Sequence, residues 1–234
     1  IIIHVGHSSI AEAKLLAAHA SSIGADAISS VAAFYFKPTS VETLAHCMQE
    51  IAGAAPDLPF YYYHIPHLTG VGMDMIEFLK YGGPLIPNLA GIKYTATTIQ
   101  EYQACLNFEN GRYDILYGLD ELLLPALSVG AKGAIGSTYT FATPMYLKTM
   151  KAYERGDMKA AQEHHAYMVK IISILLKHPP IPGQKAIMKM LGWDLGPCRL
   201  PLVTMNKNSF DKFYLELAAQ SFFDKVSSRQ MSVV

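Results

Sequence analysis

Cysteine is scarce and poorly placed for cross-linking: Cys47, Cys105 and Cys198 are far apart and odd in number. That excludes a disulfide framework or a zinc ribbon and fits a reducing compartment, so a cytoplasmic protein is expected. A surplus of either charge is missing too, since basic and acidic side chains number 19 each. Phosphate binding usually leaves a basic excess, so nucleic acid is not an expected partner. No apolar run is long enough to span a bilayer, so no membrane partner is expected. A G-x-G-x-x-G dinucleotide fingerprint is absent. Also missing are an initiator methionine and a charged leader. The opening IIIHVG reads as a buried strand rather than a signal peptide, and predicts that upstream residues are missing.

What the chain does have is length and apolar content for a large core: 234 residues, 51% hydrophobic. β-rich runs alternate with segments of helical spacing. Strands are predicted at IIIHV, at ADAISSVAA from Ala25, and at LPFYYYHI, LAGIK, YDILYG and KGAIG, each followed by a helical segment. The helix VETLAHCMQEI is expected to start through Ser40, with Glu42 in its first turn. Six successive βα units imply parallel strands with right-handed crossovers. After about residue 157 the pattern is helical only. Two architectures fit: an open doubly wound sheet, or a (β/α)₈ barrel lacking its first two βα units. The missing start favours the barrel, with six βα units over 1–156 and a C-terminal helical extension of the same domain over 157–234.

In either architecture ligands sit at the carboxyl ends of the strands. Four polar clusters stand there: Tyr61-Tyr62-Tyr63-His64, Lys93-Tyr94-Thr95, Gly118-Leu119-Asp120-Glu121 and Gly136-Ser137-Thr138-Tyr139. Lys93 closes an otherwise apolar or small run. A lysine enclosed by barrel side chains loses solvation, which favours a neutral amine able to form a Schiff base with a ketone. The alternative is a lysine that snorkels or pairs with a carboxylate. Tyr63 is a candidate acid–base group or simply a packed strand aromatic. Three consecutive tyrosines cannot all face one side of a sheet, so at least one is structural. The two H-x-x-H pairs, His4 with His7 and His64 with His67, are spaced badly for shared metal ligation from a strand, and no metal is expected. Asp120-Glu121 fits a helix N-terminus as well as hydroxyl binding, and Ser137-Thr138 fits N-caps.

The order YHIP (63–66), GIKYT (91–95), GLDE (118–121) and GSTY (136–139) resembles the N-acetylneuraminate lyases, or sialic acid aldolases. These belong to the pyruvate-dependent class I aldolases that include dihydrodipicolinate synthase; the chain looks like a vertebrate form. The resemblance implies a (β/α)₈ barrel, a homotetramer, and reversible cleavage of N-acetylneuraminate to N-acetylmannosamine and pyruvate without metal or organic cofactor. It implies that Lys93 is the Schiff-base lysine and Tyr63 the catalytic tyrosine. Thr95, Gly118, Asp120, Glu121 and Ser137 become substrate contacts. Tyr35 matches an aromatic near a subunit interface and the active site. The family's G-[ST]-T-G-E motif, which grips the substrate carboxylate, is absent from this chain. Two alternatives stay open: another pyruvate aldolase or dehydratase of the same group, and an inactive form that only associates with full-length subunits.

Overall fold

Alternating strand and helix signals become alternating strands and helices, in chain order. The structure is a computed structural model and describes residues 1–226. The elements are β1 (Ile2–His4), α1 (Ile10–Ser22), β2 (Ala27–Ser30), α2 (Val41–Ala52), β3 (Phe60–His64), α3 (Pro66–Thr69), α4 (Met75–Leu85), β4 (Leu89–Tyr94), α5 (Ile99–Asn107), β5 (Asp114–Tyr117), α6 (Leu123–Ser128), α7 (Tyr139–Glu154), α8 (Met158–Leu175), α9 (Pro180–Met190) and α10 (Lys207–Ala218). They divide between two compact units, one of residues 1–119 with 128–135 and one of residues 120–127 with those from 136 onward.

The first unit holds a parallel five-stranded sheet in the order β1-β2-β3-β4-β5. Strands that add in sequence to one edge never reverse direction of growth. Right-handed crossovers then keep the helices on one face, which is the wall of a βα barrel and not a doubly wound sheet with its switch point. The expected sixth strand, KGAIG, is reduced to one bridge between Tyr117 and Ala134, tied by Tyr117 N–H to Gly133 O at 3.1 Å and Ile135 N–H to Tyr117 O at 2.8 Å. Two glycines in five residues leave little side-chain surface to hold a longer ladder.

Alternation along the strands sorts the side chains. Ile28, Phe60, Tyr62, Ile92, Tyr94 and Tyr117 are fully buried, as are Leu44, Met48, Phe78, Leu79 and Tyr102 of the helices. This is the core of the unit, with each large side chain contributing about 1.5–3 kcal/mol of burial. Helix starts follow the expected chemistry: the Ser40 hydroxyl accepts from the Thr43 N–H at 3.2 Å, and Asp74 accepts from Ile76 and Glu77 at 2.8 and 3.0 Å. In the second unit α7 begins at Tyr139, ahead of the helix that PMYLKTMKAYERG predicts from Pro144, so that this proline lies inside it. α10 stops at Ala218, short of the helical run that NSFDKFYLELAAQSFFDKV predicts to Val226, and Ser221 takes a left-handed φ of 51°.

Candidate functional site

Register decides which strand-end residues meet. Tyr63 of β3 lies directly opposite Lys93 of β4, and both point to the sheet face away from the helices' core. The Lys93 Nζ stands 3.9 Å from the centroid of the Tyr63 ring. Lys93 is half-buried rather than enclosed, because it opens onto a cavity of about 160 Å³ lined also by Ile2, His4, Ser29, Tyr61, Tyr63 and Ile135. No carboxylate pairs with it among the described residues, so the ion-paired alternative is not the arrangement found. A larger cavity of about 710 Å³ opens at the amino end of β5, around Asn107, Arg112 and Lys132. It lies at the wrong end of the strands for barrel chemistry.

The three tyrosines divide as alternation requires. Tyr61 and Tyr63 face the cavity, and Tyr62 turns to the helices, its ring 4.8 Å from that of Phe78. Tyr61 donates to the Asp114 carboxylate at 3.0 Å, reaching across β4 at Gly91, the residue between them in register. A Cβ at Gly91 would overlap the Asp114 backbone carbonyl. Burial, then that hydrogen bond, push the Tyr61 phenol up to about 12. Burial alone pushes the Tyr62 phenol up further.

His4, which pattern reading placed only in a doubtful metal pair, lines the cavity beside Lys93 and Tyr63. It ends β1, as Tyr63 and Lys93 end their strand faces, and its ring meets Tyr63 edge-on at 5.8 Å. Its Nδ1 lies 3.2 Å from the Ser29 hydroxyl. Desolvation, and then the Lys93 charge, lower its pKa although the residue as a whole is exposed. The parity of strand positions was the available signal. His7 is instead an acceptor for the Ser9 N–H at 2.9 Å, at the entry to α1. His64 sits on the opposite sheet face, 2% exposed, its ring 5.1 Å from Tyr94, while His67 is exposed.

Thr95 follows β4 and is buried, its hydroxyl without a partner. Gly118 packs against it, its N–H bonded to Tyr94 O at 2.7 Å; a Cβ at Gly118 would overlap the Thr95 hydroxyl. The glycine leaves that oxygen unblocked, and a buried hydroxyl with no protein partner is open to a polar ligand.

In the second unit Asp120 is buried at the start of a 3₁₀ turn, and Thr138 donates to its Oδ2 through the backbone N–H at 2.9 Å and the hydroxyl at 2.5 Å. Thr138 stands at the N-cap of α7 but makes no side-chain cap, because its hydroxyl is committed to Asp120. Ser137 accepts from the Gln184 amide at 2.7 Å. Glu121 is half-buried and acts on His165, whose pKa burial lowers and the Glu121 charge raises. Tyr35 is 77% exposed between Phe34 and Phe36, its ring edge-on to Phe36 at 4.9 Å.

A lysine amine beside a tyrosine, at the carboxyl ends of parallel strands added in sequence, defines an α/β-barrel site equipped for carbonyl chemistry. The chain belongs to the dihydrodipicolinate synthetase family, whose pattern matches residues 1–220. It is 41% identical over 210 residues to the N-acetylneuraminate lyase of Xenopus tropicalis, covering 89% of this chain and 68% of that one. The solved N-acetylneuraminate lyase of Proteus mirabilis superposes with a TM-score of 0.91 at 35% identity, over 94% of this chain and 75% of the other. A catalytic-lysine mutant of the Ruminococcus gnavus sialic acid aldolase superposes at 0.87 with 28% identity, over 96% and 73%. The expected family and barrel class are borne out. No helix among the described residues is long and apolar enough to cross a membrane.

Proposed function

We propose that this chain is an N-acetylneuraminate lyase that works through a Schiff base on Lys93. The observation that carries the reading is the Lys93 amine held 3.9 Å from the Tyr63 ring centroid at the carboxyl rim, in a chain of this family. The Lys93 amine attacks the C2 ketone of open-chain N-acetylneuraminate and loses water, giving an iminium that draws electrons. Tyr63, working with the substrate's own carboxylate, takes the proton of the C4 hydroxyl. The C3–C4 bond breaks, N-acetylmannosamine leaves, and the electron pair rests as an enamine. Protonation at C3 and hydrolysis release pyruvate and restore the amine.

The cavity beside Lys93 is about 160 Å³. That is below the ~300–1,000 Å³ of sites that enclose a whole small ligand, and it suits the three-carbon keto-acid end. The remaining roles follow the same reading. Thr95 and Gly118 hold the substrate near the imine, and Asp120, Glu121 and Ser137 bind the sugar's hydroxyls. Tyr35 and its exposed aromatic neighbours make a subunit contact in a homotetramer, and three free cysteines suit a cytosolic setting.

The test is reduction by borohydride in the presence of pyruvate, followed by peptide mapping and a cleavage assay on the 234-residue chain. An adduct on Lys93 with release of N-acetylmannosamine is the expected result. An adduct on Lys132 or Lys185 refutes the assignment. An adduct on Lys93 with cleavage of a different 2-keto acid assigns the chain to another aldolase or dehydratase of the family.

A further inference from the structure

Asp120 does not stand alone. Thr138 is 4% exposed and Tyr146 of α7 is 1% exposed, and the Thr138 hydroxyl lies 2.6 Å from the Tyr146 phenol oxygen. A threonine hydroxyl has one proton. It is given to Asp120 Oδ2, so the short contact to Tyr146 is made by the phenol donating to a lone pair of Thr138. The chain therefore has one direction: Tyr146 O–H to Thr138 Oγ1, Thr138 O–H to the Asp120 carboxylate. Each donor in such a chain polarises the next, and hydrogen bonds to a carboxylate are the strong ones. Burial first, and the nearby Asp120 carboxylate second, raise the Tyr146 pKa, which keeps it a phenol that can donate.

The carboxylate is also pressed against backbone. A Cβ on Gly136 would overlap both Asp120 carboxylate oxygens, so only glycine lets the acid lie where Thr138 can hold it. Thr138 holds Oδ2 twice and so helps to orient the Asp120 carboxyl, and the Thr138 hydroxyl is itself held by Tyr146. The Tyr139 ring packs on Tyr146 at 4.2 Å and limits its swing.

We propose that Thr138 and Tyr146 are positioning residues that orient the Asp120 carboxylate for the sugar part of the substrate. The proposal rests on the lyase reading above. A site that hydrogen-bonds hydroxyls needs its acceptors held in place before substrate arrives, since a loosely held acceptor spends binding energy on its own ordering. Both residues act through Asp120, Thr138 directly and Tyr146 by way of Thr138, so their loss changes recognition of the sugar and leaves the chemistry of pyruvate with Lys93 intact.

The variants are Tyr146→Phe, Thr138→Val and Thr138→Ser, each compared with the unmodified chain by thermal unfolding, borohydride trapping of pyruvate, and steady-state cleavage of N-acetylneuraminate. Thr138→Val is expected to raise KM by about 10-fold, the size of one hydrogen bond to a charged group, and Tyr146→Phe by about 3-fold or more, the size of a neutral hydrogen bond, because it acts on Asp120 only through Thr138. Turnover at saturation and pyruvate trapping stay within a factor of two or so, the signature of lost binding common to ground and transition state. Thr138→Ser, which keeps the hydroxyl, restores KM. An unchanged KM in Tyr146→Phe overturns the proposal. So does pyruvate trapping that falls in step with cleavage, which a merely structural role would produce, or a serine variant as poor as the valine one. If the unmodified chain traps no pyruvate, the lyase reading itself falls and the positioning role with it. Trapping that is normal throughout with no KM split overturns the positioning role alone.

Discussion

His64 makes the helix-side core of the sheet sensitive to acid. Its ring is 2% exposed, its Nδ1 has no partner, and the Tyr94 and Tyr62 rings lie 5.1 and 6.2 Å away. Burial lowers its pKa to about 4 from the ordinary 6.5. Between those values the unfolded chain binds a proton that the folded chain refuses, so stability rises with pH across the window and is lost as pH falls from 6.5 towards 4. The gap of 2.5 units corresponds to a full loss of ~3 kcal/mol, of which ~2 kcal/mol is already gone at pH 5. Replacing His64 with Phe keeps a flat ring against Tyr94 and removes the titration. Urea unfolding followed by far-ultraviolet circular dichroism at pH 7.5 and pH 5.0, on both proteins, isolates the effect, because every other titrating group cancels in the comparison. The unmodified chain should lose ~2 kcal/mol more than His64→Phe on acidification. Equal losses in the two proteins would refute the reasoning, by showing that the ring is hydrated or paired when folded.

Other expectations follow from the same geometry. Tyr63→Phe should lower turnover by ~10²–10⁴-fold while pyruvate trapping on Lys93 persists; near-normal turnover would move the proton-transfer role to Tyr61, the other tyrosine on that face, and not to Tyr62, which faces the helices. Tyr62→Phe should raise stability by ~1 kcal/mol in thermal unfolding, because its buried hydroxyl has no partner and is removed with it; a drop of similar size would reveal a hydrogen bond. Gly91→Ala should destabilise by ~1–3 kcal/mol or more, since the new methyl meets the Asp114 carbonyl of the neighbouring strand, and a stability equal to the parent's would show that β4 and β5 can part without loss.

Much of this arrangement could be read along the chain because it is local. The strands up to YDILYG were legible from β-rich runs and their stops, and Ser40 from its place before an apolar-periodic segment. The position of Lys93 was legible as a charge closing a strand. Its partner was less so: that Tyr63, and not Tyr62, faces the amine depends on the register of β3 against β4, which no single strand encodes. The sixth strand misled because KGAIG has the flanks of a strand without side chains to hold a ladder.

What lay out of reach were contacts between residues far apart in sequence. Thr138 has the residue type and place of an N-cap, and local reasoning gives its hydroxyl to its own helix. The structure gives that hydroxyl to an acid 18 residues earlier. The exchange makes physical sense: the first N–H groups of α7 find backbone acceptors, Thr140 on Ser137 O and Phe141 and Ala142 on Thr138 O, whereas a buried carboxylate is costly without hydrogen-bond donors. A single donor goes where its absence would be most costly. The same logic bears on His4, which its H-x-x-H spacing pairs with His7 on paper and which the sheet turns instead towards Tyr63 and Lys93. Sequence spacing ranks neighbours along the chain, but the competition for buried donors and charges is decided among neighbours in space.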